Sequence, residues 1–197
     1  YVCNKGDKNA LLQKAEWYTK QLPVFLQPEK YEMLVSSKTY HNYDNDSMIS
    51  GEATVENLGT GGRRTAILLD EAAKMPHAKK IFTSTRDVSR CRIFCSSPFG
   101  RQGIGAPFFQ KVSNPNSRKI WMHWSDIPNK RKGLYYLDEN GARKEFEPGW
   151  KWQDDYDFEQ LTFGRRKPRS IWYDIECHRA DDDEATISQE LDLNFNK

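Results

Sequence analysis

Apolar positions in this sequence come in short clusters between long polar stretches, and one cluster is organised differently from the others. Ala66-Ile67-Leu68-Leu69 is an unbroken apolar run, the pattern of a strand covered on both faces in a parallel sheet. It ends in Asp70-Glu71. Ligands of open α/β sheets bind outside the carboxyl ends of the strands, so both acids are delivered to a ligand side. Successive strand residues point in opposite directions, which gives the two carboxylates room for different tasks. Asp70 can hold a metal ion through water, and Glu71 can orient and deprotonate an attacking water. The same pair also suits the first turn of a helix beginning near Ala72, where the helix dipole favours acids.

Upstream, Leu11, Leu12, Ala15, Tyr18 and Leu22 fall on one face of a helix over residues 8–22, capped by Asp7 and stopped by Pro23. Residues 31–40 alternate as a strand, and residues 47–53 resume as a second one. The turn formers of 41–46 lie between them, so a hairpin is expected. Asp44, Asn45 and Asp46 lack the remaining ligands of a calcium loop, which leaves a solvated turn.

Downstream, residues 72–80 carry a helical pattern interrupted by Pro76, and residues 90–95 form a second short strand. That strand runs into Ser96-Ser97-Pro98-Phe99-Gly100. Hydroxyls at this end of a strand can hydrogen-bond a γ-phosphate, a lytic water or the Glu71 carboxylate, while a plain Ser-Pro turn is the alternative. Residues 108–112 start an amphipathic segment, and Ile120-Trp121-Met122-His123-Trp124 alternates as a third strand of the sheet, with His123 at its core or edge. Asp138-Glu139-Asn140-Gly141 reads as a turn between two extended pieces. A final helix runs from Asp183 to about Phe195, with Ile187, Leu191 and Phe195 as its stripe.

Charge and cysteine content narrow the chemistry only slightly. Thirty basic and 28 acidic residues give a net charge of +2, which neither demands nor excludes nucleic acid. Basic and aromatic residues mix around Lys130-Arg131-Lys132, Arg165-Arg166-Lys167, Trp150, Trp152 and Phe163. That mixture suits phosphate contacts with base stacking, whereas Asp154, Asp155 and Asp157 among them suit a solvated surface. Cys91 and Cys95 flank a strand and stand ~13 Å apart, too far for two sulfurs on one zinc ion. No apolar run reaches the ~18 residues of a membrane span. The chain opens on Tyr1 rather than Met and closes on Asn196-Lys197, the look of a piece excised from a longer protein. Gly59-Thr60-Gly61-Gly62-Arg63-Arg64 precedes a strand and contains no Gly-Lys-Ser/Thr, so it is no phosphate loop. Arg63 and Arg64 are left as an arginine finger, a phosphate or DNA contact, or a solvated basic turn.

Taken together, these stretches resemble the ATPase domain of the viral terminase large subunit, the motor that packages DNA into phage and herpesvirus capsids. Ile67-Leu68-Leu69-Asp70-Glu71-Ala72-Ala73 looks like that family's Walker B motif with its catalytic glutamate. Ser96-Ser97-Pro98-Phe99-Gly100 looks like its coupling motif, Ser-Thr-Pro-x-Gly, with serine in place of threonine. Leu22-Pro23 and Ser50-Gly51-Glu52-Ala53-Thr54 are similar to the family's segment upstream of Walker B. Trp172-Tyr173-Asp174-Ile175-Glu176-Cys177-His178-Arg179 and residues 187–193 are similar to the stretch that closes the ATPase module. The likeness covers most of the chain and is weakest over 129–169.

The resemblance implies an α/β fold of the P-loop NTPase (ASCE) type, a mostly parallel sheet flanked by helices. The chain would be a partial domain: residues 1–125 the C-terminal part of the ATPase core, 126–168 an irregular insertion, and 169–197 the start of a small C-terminal lid subdomain. ATP and Mg²⁺ are the implied cofactors. Asp70 would hold Mg²⁺ through water, Glu71 would activate the nucleophile, and Ser96 and Ser97 would sense the γ-phosphate. Arg63 or Arg64 would offset developing charge, and Glu176 would relay lid movement or simply pair with Arg179. Implied partners are double-stranded DNA, sister copies in a ring, a portal protein and a small terminase subunit, in the host-cell cytoplasm and without a membrane. Family members also carry a Walker A loop and a nuclease domain, and neither occurs in these 197 residues, so the chain by itself is expected not to turn over ATP. A helicase-like translocase and a non-catalytic binding module are the alternatives.

Overall fold

The computed structural model describes residues 11–52 and 62–196. Helix α1, Leu11–Gln21, ends before Pro23, whose missing N–H and fixed φ cannot continue it. The cap expected at Asp7 lies outside the described residues. The single strand expected over 31–40 is broken in two. Strands β1 (Tyr31–Leu34), β2 (Thr39–Asn42) and β3 (Ser47–Ser50) form an antiparallel meander. The break falls at Lys38, whose φ is 51°, and the Ser37 hydroxyl donates to the Leu34 carbonyl at 3.3 Å. Local side-chain bonding of this kind competes with a strand ladder. In the acidic turn, the Asp44 carboxylate accepts the Glu29 and Lys30 backbone N–H groups at 2.6 and 3.1 Å, an anchor for the meander.

Strands β4 (Ala66–Leu69) and β5 (Cys91–Phe94) pair in parallel, with Leu69 opposite Phe94. A 3₁₀ turn at Ala72–Lys74 and helix α2 (Ala78–Ser84) make the crossover between them. Helix α3, Ala106–Ser113, follows. Two hairpins come next: β6 (Tyr135–Leu137) with β7 (Arg143–Glu145), and β8 (Tyr156–Asp157) with β9 (Thr162–Phe163). The first is closed by the expected turn, in which Asp138 Oδ1 accepts from the Asn140 and Ala142 backbones and Gly141 has a φ of 77°. Helices α4 (Ile171–Arg179) and α5 (Glu184–Glu190) end the fold, each with a side-chain cap: Ser170 accepts from Tyr173 N, and Asp183 from Thr186 N.

The mostly parallel, helix-flanked sheet of P-loop NTPase type is therefore not what the chain forms. The described strands fall into four small separate sheets, three antiparallel and one a two-stranded parallel pair. Among the described strands, only β4 and β5 pair across a helical crossover, and the others close on their chain neighbours through short turns. The expectation that β4 is covered on both faces fails with it. Leu68 is 57% exposed and its pairing neighbour Ile93 53% exposed. The third strand expected at Ile120–Trp124 is also absent. That stretch is irregular and leads into a 3₁₀ turn at Trp124–Asp126, because the His123 ring caps the turn by accepting from Ser125 N. Helix α5 stops at Glu190, short of Phe195, and Leu193 has a φ of 52°.

Burial is dominated by aromatics from the middle of the chain. Leu69, Ala72, Ala73, Ile81, Phe82 and Phe108 form one continuous cluster with Trp150, Trp152, Tyr156, Leu161, Phe163 and Phe195. Trp152, Tyr156 and Phe163 meet edge to face, with centroids 5.1–6.4 Å apart, contacts that add about 0.5–1.5 kcal/mol each beyond their buried area. A smaller cluster joins Trp124, Tyr173 and Cys177. Among the described residues, no helix is long and apolar enough to cross a membrane.

Candidate functional site

The ladder between β4 and β5 continues past its last strand pair. Cys95 N donates to the Leu69 carbonyl at 2.9 Å, and Ala72 N donates to the Cys95 carbonyl at 3.0 Å. These two bonds stitch the turn after β4 onto the tip of β5, so Asp70-Glu71 lies alongside Cys95-Ser96. The Cys95 thiol reports the same closeness electrostatically. Burial pushes its pKa up, and the charges of Asp70 and Glu71 push it further. Asp70 is exposed. Glu71 sits in the left-handed region at φ 51°, ψ 38°, a conformation that costs on the order of 1–3 kcal/mol for a residue with a side chain. Among the described residues, seven other non-glycine positions share a positive φ, so strain alone does not single Glu71 out. Its carboxylate is 61% exposed, and Lys74 Nζ lies 3.6 Å from Oε2.

Opposite the acids, the hydroxyl oxygens of Ser96 and Ser97 are shielded from solvent and have no hydrogen-bond partner in the described structure. A shielded hydroxyl without a partner costs about 1–3 kcal/mol, and here two stand in sequence. The turn carrying them is held rigidly. Pro98 is fully buried. Phe99 and Gly100 lie against the 3₁₀ turn Gly103–Gly105 that opens α3. Asp70, exposed at the end of β4, is a hard oxygen donor of the kind that suits Mg²⁺, an ion that keeps several of its own waters. Among the described residues, no group of three or more His, Cys, Asp or Glu side chains could hold a metal ion, so a metal here would depend on those waters and on substrate oxygens.

Other residues singled out from the sequence are not brought to this place. Arg63 and Arg64 precede β4, at the end of the strand opposite Asp70. The strand Ala66–Leu69, roughly 13 Å long, lies between them and Asp70. Arg64 Nη2 pairs instead with Glu52 Oε1 at 3.6 Å. Arg63 and Arg64 therefore do not face the carboxylates of their own copy, and a finger role would have to come from a neighbouring copy. Gly59, Thr60 and Gly61 of that turn lie outside the described residues. Glu176 on α4 pairs with Arg179 at 2.9 Å.

The stacking half of the basic-aromatic mixture fails, while Arg131, Lys132, Arg165 and Asp154 are exposed, as a solvated surface has them. Trp150, Trp152 and Phe163 are core residues, buried with their polar atoms satisfied: the Trp150 and Trp152 indole N–H groups donate to Asp155 and Asp126 at 2.6 and 2.9 Å. Arg166 is clamped by Asp155 and Glu147, Lys167 by Asp192, and Arg169 by Asp174. These cations are fixing the fold.

Three participants escaped sequence reasoning. Cys95 and Gly105 carry no motif of their own. Lys74 stands three positions after Glu71, a spacing that already suggests a side-chain pair on a turn of helix. It also donates to Glu190 Oε1 of α5 at 2.6 Å. No family model, curated protein or solved structure matches the chain.

Proposed function

We propose that this chain carries the hydrolytic half of an ATP-driven, DNA-translocating motor of the large-terminase type. The observation that supports it is the parallel β4–β5 pairing, which sets Asp70-Glu71 beside Ser96-Ser97 with both serine hydroxyls shielded and unpartnered. This reading uses the local two-strand unit and does not depend on a larger parallel sheet, which the described residues do not form. ATP and Mg²⁺ are the substrate and ion. ATP supplies the γ-phosphoryl group, and Asp70 would help to hold a Mg²⁺ ion that, when bound, would offset the phosphate charge. The oxygen of a water bonds to the γ-phosphorus as the bond to the ADP oxygen breaks, and the water's proton passes to Glu71. Ser96 and Ser97 donate to phosphate oxygens. A phosphate-binding loop is supplied from outside these 197 residues, and an arginine such as Arg63 or Arg64 would reach the site from a neighbour in a ring. Double-stranded viral DNA, portal and small-subunit proteins in the host cytoplasm are the partners of this reading.

The decisive experiment measures phosphate release by the complete protein from the reading frame that contains these residues, with and without DNA. Glu71→Gln is expected to lower kcat by about 10²–10⁴-fold, the usual share of a general base. Unchanged turnover in that variant, or a complete protein with no ATPase, would overturn the reading. The 197-residue chain by itself is expected to release no phosphate. The exposed pair Leu68 and Ile93 favours a second reading, a non-catalytic module that docks a partner through this face. ATP hydrolysis that depends on Glu71 separates the two.

A further inference from the structure

Lys74 stands where three parts of the molecule meet. It belongs to the 3₁₀ turn that follows Asp70-Glu71. Its Nζ lies 6.0 Å from the centre of the Phe99 ring, in the turn that follows Ser96-Ser97. It donates to Glu190 Oε1 at 2.6 Å, at the C-terminal end of α5, and stands 3.6 Å from Glu71 Oε2. One ammonium group is thus shared unequally between two carboxylates, 116 positions apart in the case of Glu190. The shorter contact belongs to the distant helix. Both acids favour the charged form of Lys74, and together they raise its pKa against the effect of its partial burial.

We infer that Lys74 is a positioning residue through which the docking of α5 sets the availability of Glu71. The inference rests on the reading of Glu71 as the base. With α5 in place, Glu190 takes the shorter contact with Nζ and leaves Glu71 the longer one, 3.6 Å at Oε2, so the other Glu71 oxygen stays open as an acceptor for the attacking water. When α5 moves away, Nζ loses its nearer partner and closes on Glu71. The shared pair then becomes an undivided one, and its full charge on the Glu71 carboxylate weakens it as a proton acceptor. Phe99 beside Nζ links the same switch to the serine turn. Movement of a C-terminal helix would in this way turn the base on and off without displacing β4 or β5.

Two measurements test this. On the 197-residue chain, urea unfolding of Glu71→Gln, Glu190→Gln and the double variant reports whether the acids share one cation. Non-additivity of at least about twofold in the unfolding equilibrium constant is expected, and it should vanish in a Lys74→Met background. Additive effects overturn the inference. In the complete protein, Glu190→Gln is expected to lower kcat about fivefold with KM unchanged, the size an exposed ion pair can supply. Adding Lys74→Met to Glu190→Gln should restore kcat, whereas a purely structural role for the pair predicts a further loss. Hydrolysis that needs Glu71 yet ignores Glu190 sinks the inference and leaves the proposed function standing. Non-additive unfolding with no hydrolysis at all sinks the gate along with the function and leaves only the ion-pair junction.

Discussion

Gly105 packs directly against the carbonyl of Phe99. A Cβ added to Gly105 would lie 1.9 Å from that carbonyl oxygen and 2.8 Å from the oxygen of Gly100. Its φ of −71° is open to any residue, so glycine is needed here for space. The atoms in the way are backbone, which cannot rotate aside. The serine turn is therefore seated on the start of α3 by a contact that only a missing side chain permits.

Gly105→Ala is accordingly expected to destabilise the protein by about 3 kcal/mol, the upper end of the usual overpacking range. Urea unfolding measures it. Exposed Gly141 serves as the comparison, because a Cβ there meets nothing within 4 Å and only its φ of 77° resists substitution. Equal losses at the two positions would show that the Phe99 contact has no special weight.

Ser96 and Ser97 separate stability from function. Removing a shielded hydroxyl that has no partner takes away a desolvation cost, so Ser97→Ala should leave stability unchanged or raise it by up to ~1 kcal/mol. In the complete protein the same change should lower ATP turnover by at least about tenfold, because a donor to the phosphate oxygens is gone. A loss of stability together with unaltered turnover would make these serines ordinary turn residues.

What the sequence made legible was local. The order Ala66–Leu69, Asp70-Glu71, then Cys91–Phe94 and Ser96-Ser97 needs only short-range patterning, and the two strands do pair in parallel with those residues at one end. Asp183 caps α5 and Asp138 closes its hairpin as their side chains suggest. Partners chosen from far along the chain were not legible. Trp152 lies in a polar, charged stretch, yet it is buried with its indole N–H donating to Asp126, 26 positions away. The alternation of Ile120–Trp124 mimics a strand, but a sheet strand needs a neighbour, and the His123 cap prevails. Lys74 and Glu190 meet only after the whole fold has closed.

Asp192 is the buried charge on which the C-terminal helices converge. Its side chain is 7% exposed and accepts from Lys167 Nζ at 2.8 Å and from the Tyr173 hydroxyl at 3.0 Å. Burial pushes its pKa up, while Lys167, Tyr173 and Arg169 pull it down. Asp192→Ala strands a buried tyrosine hydroxyl and one ammonium group, and should cost about 3 kcal/mol. Tyr173→Phe should cost about 1.5–3 kcal/mol, as a hydrogen bond to a charged group does. The two effects should be strongly non-additive in urea unfolding, since both variants remove the same bond. Additive losses would mean that the Tyr173–Asp192 contact is not formed in solution.

His123 gives the fold a specific acid sensitivity. Its ring is 3% exposed and stacks tilted among Trp124, Trp152 and Phe163, with centroids 5.0–5.3 Å away. Nδ1 accepts from Ser125 N at 3.3 Å, which calls for the neutral ring. Burial lowers its pKa from 6.5 to about 4, and the Asp126 carboxylate and Leu191 backbone offset only part of that. Between pH 6.5 and pH 4 the unfolded chain therefore binds a proton that the folded one refuses. Stability attributable to this group is intact above pH 6.5 and falls as pH drops through the window. It levels off below about pH 4, where both states are charged, after a loss of about 3 kcal/mol. His123→Phe removes the titrating group at the cost of about 1 kcal/mol for the lost cap. Urea midpoints measured from pH 7.5 to 4 should fall more steeply for the native protein than for this variant. Parallel curves would place the acid sensitivity in some other group and leave His123 as packing alone.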